Sequence, residues 1–199
     1  GMDRMTSGQV MMDARELSAL SEPELAKLRL NNMGFVFQQN HLLKNLCILD
    51  NIMLPSVLAK KGSRKQIKQK ALGLMEQTGI SHLAQRDITQ ASGGELQRVS
   101  ICRALMNDPE ILFGDEPTGA LNSSASNEIM NLLSSINTSG TTILLVTHDS
   151  KVAAKTERVL FMTDGKIVSE KIMGKYDPET QDIKQRETEL SAWLNELGY

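Results

Sequence analysis

The sequence predicts an α/β fold, a largely parallel sheet with helices on both faces and a helical subdomain inserted after one of its strands. Three apolar runs of strand length carry that reading: GFVFQQ from Gly34 to Gln39, Ile111 to Phe113, and TTILLV from Thr141 to Val146. Stretches of helical spacing separate them. Each run ends in polar residues, first Gln38 and Gln39, then Asp115 and Glu116, then Thr147, His148 and Asp149. Doubly wound sheets bind ligands at the carboxyl ends of their parallel strands, so these residues mark the candidate site.

The elements follow in order. Thr6, Ser7 and Gly8 make a turn, Val10 to Met12 a short strand, and SEPELAKLRL a helix with Ser21 as N-cap and Pro23 in its first turn. Residues Ala59 to Gln90 form a small helical subdomain, with Ile67, Ala71, Leu74 and Met75 on its buried face and Gly79 as a left-handed cap. Lys60, Lys61, Arg64, Lys65, Lys68 and Lys70 read as a solvated face. No aromatic residues interleave with them for base stacking. Ala125 to Ile136 is an amphipathic helix, stopped by Thr138, Ser139 and Gly140. Arg158 to Val168 is a hairpin turning at Asp164-Gly165. Ile183, Glu187, Leu190, Trp193, Leu194 and Leu197 give a last helical stripe, suited to packing on the core or on a neighbouring subunit.

Composition narrows the class. A chain of 199 residues suits one domain with a substantial core, and a net charge of −2 gives no reason to expect a nucleic-acid partner. Cys47 and Cys102 lack metal or redox spacing, which points to a reduced, cytosolic compartment. No apolar run approaches the roughly 20 residues that span a bilayer, and the first residues have no secretory pattern. Gly1 ahead of Met2 reads as a cloning remnant. Eleven methionines, against one tryptophan, two tyrosines and four phenylalanines, imply a deformable core.

The most informative stretch runs from Ala91 to Asn122, ASGGELQRVSICRALMNDPEILFGDEPTGALN. Ser92, Gly93, Gly94 and Glu95 form a capping box, in which serine and glutamate each satisfy a free backbone N–H of the first helical turn. The two glycines leave that turn bare, so an anion such as phosphate can approach its amides and the positive end of the helix dipole. Leu96, Val99, Cys102 and Leu105 face inward while Gln97, Arg98 and Arg103 point elsewhere, and Pro109 closes the helix. Alone, Ser-x-x-Glu marks only a helix start, and two acids after a strand are common. Together at this spacing they are specific.

SGGxxxR, one helix, then an apolar strand running into DEPTxxL, resembles the signature helix, Walker B strand and D-loop of the ABC transporter ATPases. TSGxV with LSxLSExELAxLR near the start extends the resemblance, and HLLKNLCILDNIMLP from His41 to Pro55 resembles the lipoprotein-release, macrolide-efflux and antimicrobial-peptide-export group. The resemblance implies a P-loop NTPase-like ATP-binding subunit. Such a subunit couples ATP hydrolysis to transport through a transmembrane permease, pairs with a second nucleotide-binding subunit, and lies peripherally on the cytoplasmic face of the membrane. It takes ATP and Mg2+. Carried over residue by residue, Asp115 holds magnesium, Glu116 polarises the attacking water, and Gln38 reaches both and faces the permease. His148 stabilises the transferred group, and Ser92, Gly93, Gly94 and Glu95 meet the ATP of the opposite subunit. Ala120, Leu121 and Asn122 fall in the D-loop, Asn122 where the family usually has aspartate. Residues 1–40 are then a residual N-terminal part of the core with the Q-loop. Residues 41–90 are the helical subdomain, 91–168 the signature helix and Walker B/H-loop core, and 169–199 a C-terminal helical extension.

One motif is missing. The family's phosphate loop, GxxxxGK followed by Ser or Thr, does not occur in the sequence: Gly165-Lys166 and Gly174-Lys175 are followed by Ile167 and Tyr176. Phosphoryl transfer depends on positioning and charge stabilisation, so the chain alone is expected to bind ATP weakly and to be nearly inactive. The sequence fits an N-terminally truncated chain, a misread gene start, a split gene product or a decayed paralogue. It also fits a non-catalytic module that lends its surfaces to a complete ATPase. A soluble ABC-type ATPase working on nucleic acid is disfavoured by the net charge of −2 and the short helical subdomain.

Overall fold

A computed structural model describes residues 2–3, 5–177 and 182–198, so Gly1 lies outside the described residues. The chain divides into two compact units, one up to Val146 and one from Thr147.

The first unit opens with an antiparallel pair, β1 (Met11–Met12) and β2 (Arg15–Glu16), which reverses at Asp13 with φ 51°. Two-residue strands are too short for hydrophobic periodicity to register, and β2 has no signal in the sequence. Helix α1 (Glu22–Asn32) begins where the sequence predicts, with the Glu24 carboxylate accepting from the Ser21 N–H at 2.8 Å. Its Leu25 and Leu28 pack with Leu17.

The centre of this unit is a parallel sheet in the order β3 (Met33–Phe37), β4 (Ile111–Asp115), β5 (Thr142–Val146). Gly34, Val36, Leu112 and Gly114 are buried on one face. A Cβ on Gly34 would stand 2.9 Å from the Ala104 carbonyl, so helix α4 (Gly93–Leu105) lies directly on β3 there. Helix α5 (Ser123–Thr138) buries Ile129, Met130, Leu133 and Ile136. The other face, which carries Met33, Phe35 and Phe37, meets helix α1 at Met33, which packs against Leu25 and Leu28. There the Phe35 ring stacks on Phe113 at 5.4 Å, while Leu144 and Val146 are 46% and 56% exposed. Apolar residues on both sides of a strand show what each face would bury, and leave open whether anything lies on it.

Between β3 and α4 stand α2 (Ile48–Leu58), α3 (Arg64–Gln77) and two 3₁₀ turns, Ser81–Leu83 and Ile88–Gln90. Ile48, Ile52, Ile67, Ala71, Met75 and Ile80 share a core with Val99 and Cys102 of α4. Gly79 has φ 72°, the left-handed cap the sequence predicts. Lys60, Lys61, Arg64, Lys65 and Lys68 are exposed, and Lys70 pairs with Asp108. Asn107 joins three elements: its Nδ2 donates to the Leu30 carbonyl, its Oδ1 accepts from Ser56, and its carbonyl accepts from Lys61.

The second unit holds α6 (Ser150–Ala153), the hairpin β6 (Arg158–Thr163) and β7 (Lys166–Ile172), and α7 (Ile183–Glu196). Asp164 and Gly165 both have positive φ, 51° and 74°, as a two-residue type I′ turn requires. Strand β7 runs on past Ser169 to Ile172. Leu190 and Leu194 pack on Ala154, beside the Phe161–Trp193 ring pair. The stripe predicts this helix and misses its strongest tie. Buried Arg186 donates from Nε to the Ala154 carbonyl, from Nη1 to Met173, and from Nη2 to Thr156 and Gly174, all at 2.8–2.9 Å. Its guanidinium also lies 5.5 Å from the centre of the Tyr176 ring. Arg186→Met is expected to lower the stability of this unit by about 3 kcal/mol or more, since hydrogen bonds to a charged group contribute roughly 1.5–3 kcal/mol each. Urea denaturation followed by the fluorescence of Trp193 reads the change.

Candidate functional site

Phe37, Asp115 and Val146 end the three parallel strands at one level. Gln38 and Glu116 are therefore the first residues past the edge on adjacent strands. His148 follows Val146 by two residues, in the second unit. The Glu116 N–H donates to the Val146 carbonyl at 2.9 Å, which carries the chain one step beyond β4 before it turns. Glu116 takes φ 46°. For a residue with a side chain, that left-handed conformation costs roughly 1–2 kcal/mol, and such strain collects at functional positions. The Gly119 N–H then donates to the Glu116 carbonyl at 3.0 Å, closing the turn over buried Pro117 and Thr118.

Two glycines make this edge possible. A Cβ on Gly114 would stand 2.5 Å from Leu145 Cδ2, and one on Gly119 would stand 2.9 Å from Gln38 Nε2 and 3.4 Å from Glu116 Cβ. The Gln38 amide thus lies against the turn that carries Glu116. Asp115 and Gln38 are exposed and Glu116 is half-buried. Among the described residues no three or more His, Cys, Asp or Glu side chains converge as a metal site. Magnesium takes one or two carboxylates and keeps waters and phosphate oxygens, so the chemistry of Asp115 with the Gln38 amide suits one side of such an ion.

The amino end of α4 is built as the capping box predicts. The Ser92 N–H donates to Glu95 Oε2 at 2.8 Å and the Glu95 N–H to Ser92 Oγ at 3.4 Å. The Ser92 hydroxyl and N–H hold the Glu95 carboxyl below the usual range, helped by His82 at 3.2 Å. The cap is therefore fully formed above the ordinary carboxylate pKa and weakens as pH falls through the lowered one. Of the two glycines expected to be bare, Gly93 is exposed, and a Cβ there would only touch Leu121 Cδ2 at 3.6 Å. Gly94 is half-buried, with its would-be Cβ 3.3 Å from that of Ala125, so it serves the packing of α4 on α5. Ala120 is exposed and Leu121 half-buried beside the Ser92 turn. Asn122 is the N-cap of α5, its Oδ1 accepting from the Ala125 N–H at 2.9 Å. An amide caps as well as a carboxylate does, without the charge that favours a helix amino end.

The inward and outward assignment on α4 needs one correction. Gln97, expected to point outward, is 2% exposed and donates from Nε2 to the Phe37 carbonyl at 3.3 Å. Its neighbour Arg98 bridges outward as expected, to the Thr78 carbonyl and to Glu128. Sequence reasoning also missed Gly119 and Arg103, whose partners lie far away along the chain; only the turn-forming PTGA pattern signals the first. Cys102 is inert: burial pushes its thiol up to about 11.

A parallel sheet with Asp115 and Glu116 at its carboxyl edge, and a capped, glycine-bearing helix start, define an α/β protein with a polar edge at the ends of its parallel strands. A family model described as ABC transporter matches residues 1–119. The probable syringafactin export ATP-binding/permease protein SyfD of Pseudomonas syringae is 45% identical over 172 residues, covering 86% of this chain and 26% of that protein. The macrolide export ATP-binding/permease protein MacB of Burkholderia pseudomallei is 42% identical over 171 residues, with the same coverage of 86% and 26%. Among solved structures, the dimeric ATP-binding cassette MJ0796, in a post-hydrolysis state bound to ADP and Pi, is 36% identical with a TM-score of 0.79. That match covers 88% of this chain and 77% of the cassette. The chain belongs to the ABC transporter family, and it spans about a quarter of the length of the curated relatives it matches.

Two outcomes follow from this geometry. Glu116→Gly is expected to raise stability by about 1 kcal/mol in urea denaturation, by relieving the left-handed backbone; a loss of stability would show that the side chain's contacts outweigh the strain. A thiol whose pKa is raised by folding adds stability below its unfolded pKa and loses it as pH rises through the folded value. Between about pH 9 and about 11, the wild type is therefore expected to lose stability faster than Cys102→Ala does.

Proposed function

We propose that this chain is part of the ATP-binding subunit of an ABC transporter, coupling ATP hydrolysis to export through a permease partner. The observation that carries the reading is the Gln38 amide seated on the Glu116 turn, beside Asp115, at the carboxyl edge of the parallel sheet. The names of the relatives, export ATP-binding/permease proteins, support the permease partner, and the dimeric cassette supports pairing with a second nucleotide-binding subunit. Among the described residues no helix is long and apolar enough to cross a membrane. Attachment to the cytoplasmic face would then run through the permease.

In this reading Asp115 would hold Mg2+, Glu116 would polarise the attacking water as general base, and Gln38 would sense the γ-phosphate and report to the permease. His148 would stabilise the transferred group. Ser92, Gly93 and Gly94 present a hydroxyl and amides at the positive end of α4 to the nucleotide of the opposite subunit, and Glu95 keeps that turn formed. Ala120, Leu121 and Asn122 flank that turn. Mg-ATP, when bound, supplies the phosphoryl group and the charge on which these residues act. We assign residues 1–40 to the core with the Q-loop, 41–90 to the helical subdomain, 91–168 to the signature and Walker B/H-loop core, and 169–199 to a C-terminal extension.

The residues present suit the magnesium side and the opposing turn. They do not suit the phosphates themselves, because no GxxxxGK followed by Ser or Thr occurs among the 199 residues. Hydrolysis in this reading needs that cradle from outside these residues. The same absence favours a second reading, a non-catalytic module that lends the Ser92 turn and the coupling surfaces to a complete ATPase.

Isothermal titration of the chain with Mg-ATP is expected to give a dissociation constant weaker than about 1 mM, near −4 kcal/mol. Micromolar binding would contradict both the second reading and the need for an outside cradle. The chain extended at its amino end by a strand–loop–helix unit that carries GxxxxGK followed by Ser or Thr is expected to hydrolyse ATP. Glu116→Gln should lower its kcat by about 100-fold or more, as loss of a general base does. Turnover that is absent, or unaffected by Glu116→Gln, would overturn the ATPase reading.

A further inference from the structure

The segment that follows β3 has almost no regular structure, and side chains from other elements take its main-chain groups. Gln97 meets the Phe37 carbonyl at its start. At its far end the fully buried amide of Asn51 accepts from the Leu43 N–H at 2.7 Å and donates to the carbonyls of Leu43, Leu46 and Cys47 at 3.0–3.1 Å. Between them lies Arg103, on α4. Its Nη2 donates to the Asn40 carbonyl at 2.7 Å and its Nη1 to the His41 carbonyl at 2.8 Å.

Those two bonds sit where the chain doubles back. His41 has φ 47°, and its ring stands edge-on to Phe37 with centroids 5.3 Å apart. Two successive carbonyls are spanned by the planar fork of one guanidinium; the compact ammonium of a lysine does not match that geometry. The guanidinium is mostly buried, its partners are carbonyls, and burial alone lowers its pKa from the ordinary value. A charge drawn out of water without a carboxylate is costly, and this one meets carbonyls of a loop that is otherwise tied to the core by Leu42. Asn40 Oδ1 is itself buried without a hydrogen-bond partner among the described residues, so main-chain groups make the attachment.

We propose that Arg103 is a positioning residue for Gln38: by clamping the Asn40 and His41 carbonyls to the helix that starts at Ser92, it holds the Gln38 amide against Gly119. What Gln38 does there rests on the functional reading above. Its placement by Arg103 does not, so the two fail separately.

Nuclear magnetic resonance of the full chain tests it without nucleotide. In the wild type, an Overhauser contact links the Gln38 side-chain amide to a Gly119 Hα, and the Asn40 and His41 amides have order parameters near about 0.85. In Arg103→Met the contact is lost and those order parameters fall below about 0.6, while amides 43–47, held by Asn51, keep theirs. Arg103→Lys restores part of the order. A folded Arg103→Met that keeps the contact and the order parameters overturns the proposal, as does equal loosening of 43–47, which would make Arg103 a general fastener. If Arg103→Met does not fold, the wild type decides. Separate Nη1 and Nη2 signals are expected from a guanidinium held at both ends, and one averaged signal overturns it. Turnover lost on Glu116→Gln in the extended chain bears only on the functional reading.

Discussion

The account depends on one constraint, the stopping of three parallel strands at a single level. A one-residue slip of β3 would turn Gly34 away from α4 and bring a side chain against the Ala104 carbonyl, where a Cβ has no room. Once Phe37, Asp115 and Val146 share a level, the next residue on each strand emerges at the same edge. Glycines then decide how closely the surroundings approach. A methyl at Gly34 would meet the backbone of α4, and one at Gly119 would meet the Gln38 amide. Space left by absent side chains is what brings helix, loop and turn onto the sheet.

Polar side chains do the rest of the fastening, and they share a pattern. Asn51, Arg103 and Arg186 are each turned toward main-chain carbonyls outside regular helices and strands, and Asn107 toward one in the last turn of α1. Loops near a core still have carbonyls to satisfy, and a long side chain from a helix is an economical way to satisfy several at once. Stability and site geometry are therefore coupled: the groups that keep the loop after β3 folded also fix the main chain beside Gln38.

Much of this was legible in the sequence. The apolar runs gave the three strands, Ser-x-x-Glu gave the start of α4, and Asp-Gly gave the type I′ turn, because each depends on chemistry within a few residues. The edge on which Gln38, Asp115 and Glu116 emerge was also readable, from strand polarity alone. Other features were hidden. Arg103 and Arg186 look like ordinary solvated charges on helical stripes, since their partners lie 62, 63 and up to 32 residues away. Gly94 read as bare because its neighbour, Ala125, belongs to a later helix. Glu116 carries no sign of positive φ in its identity.

The central claim is that Gln38 and the acids at the end of β4 form one edge facing a divalent ion. Paramagnetic broadening by Mn2+ with ATP, at concentrations that suit weak binding, tests it most directly. Amide signals of Gln38, Gln39 and residues 115–119 should broaden together and at the lowest metal concentration. Broadening that starts at carboxylates elsewhere, or that reaches Asp115 and leaves Gln38 sharp, would contradict the account.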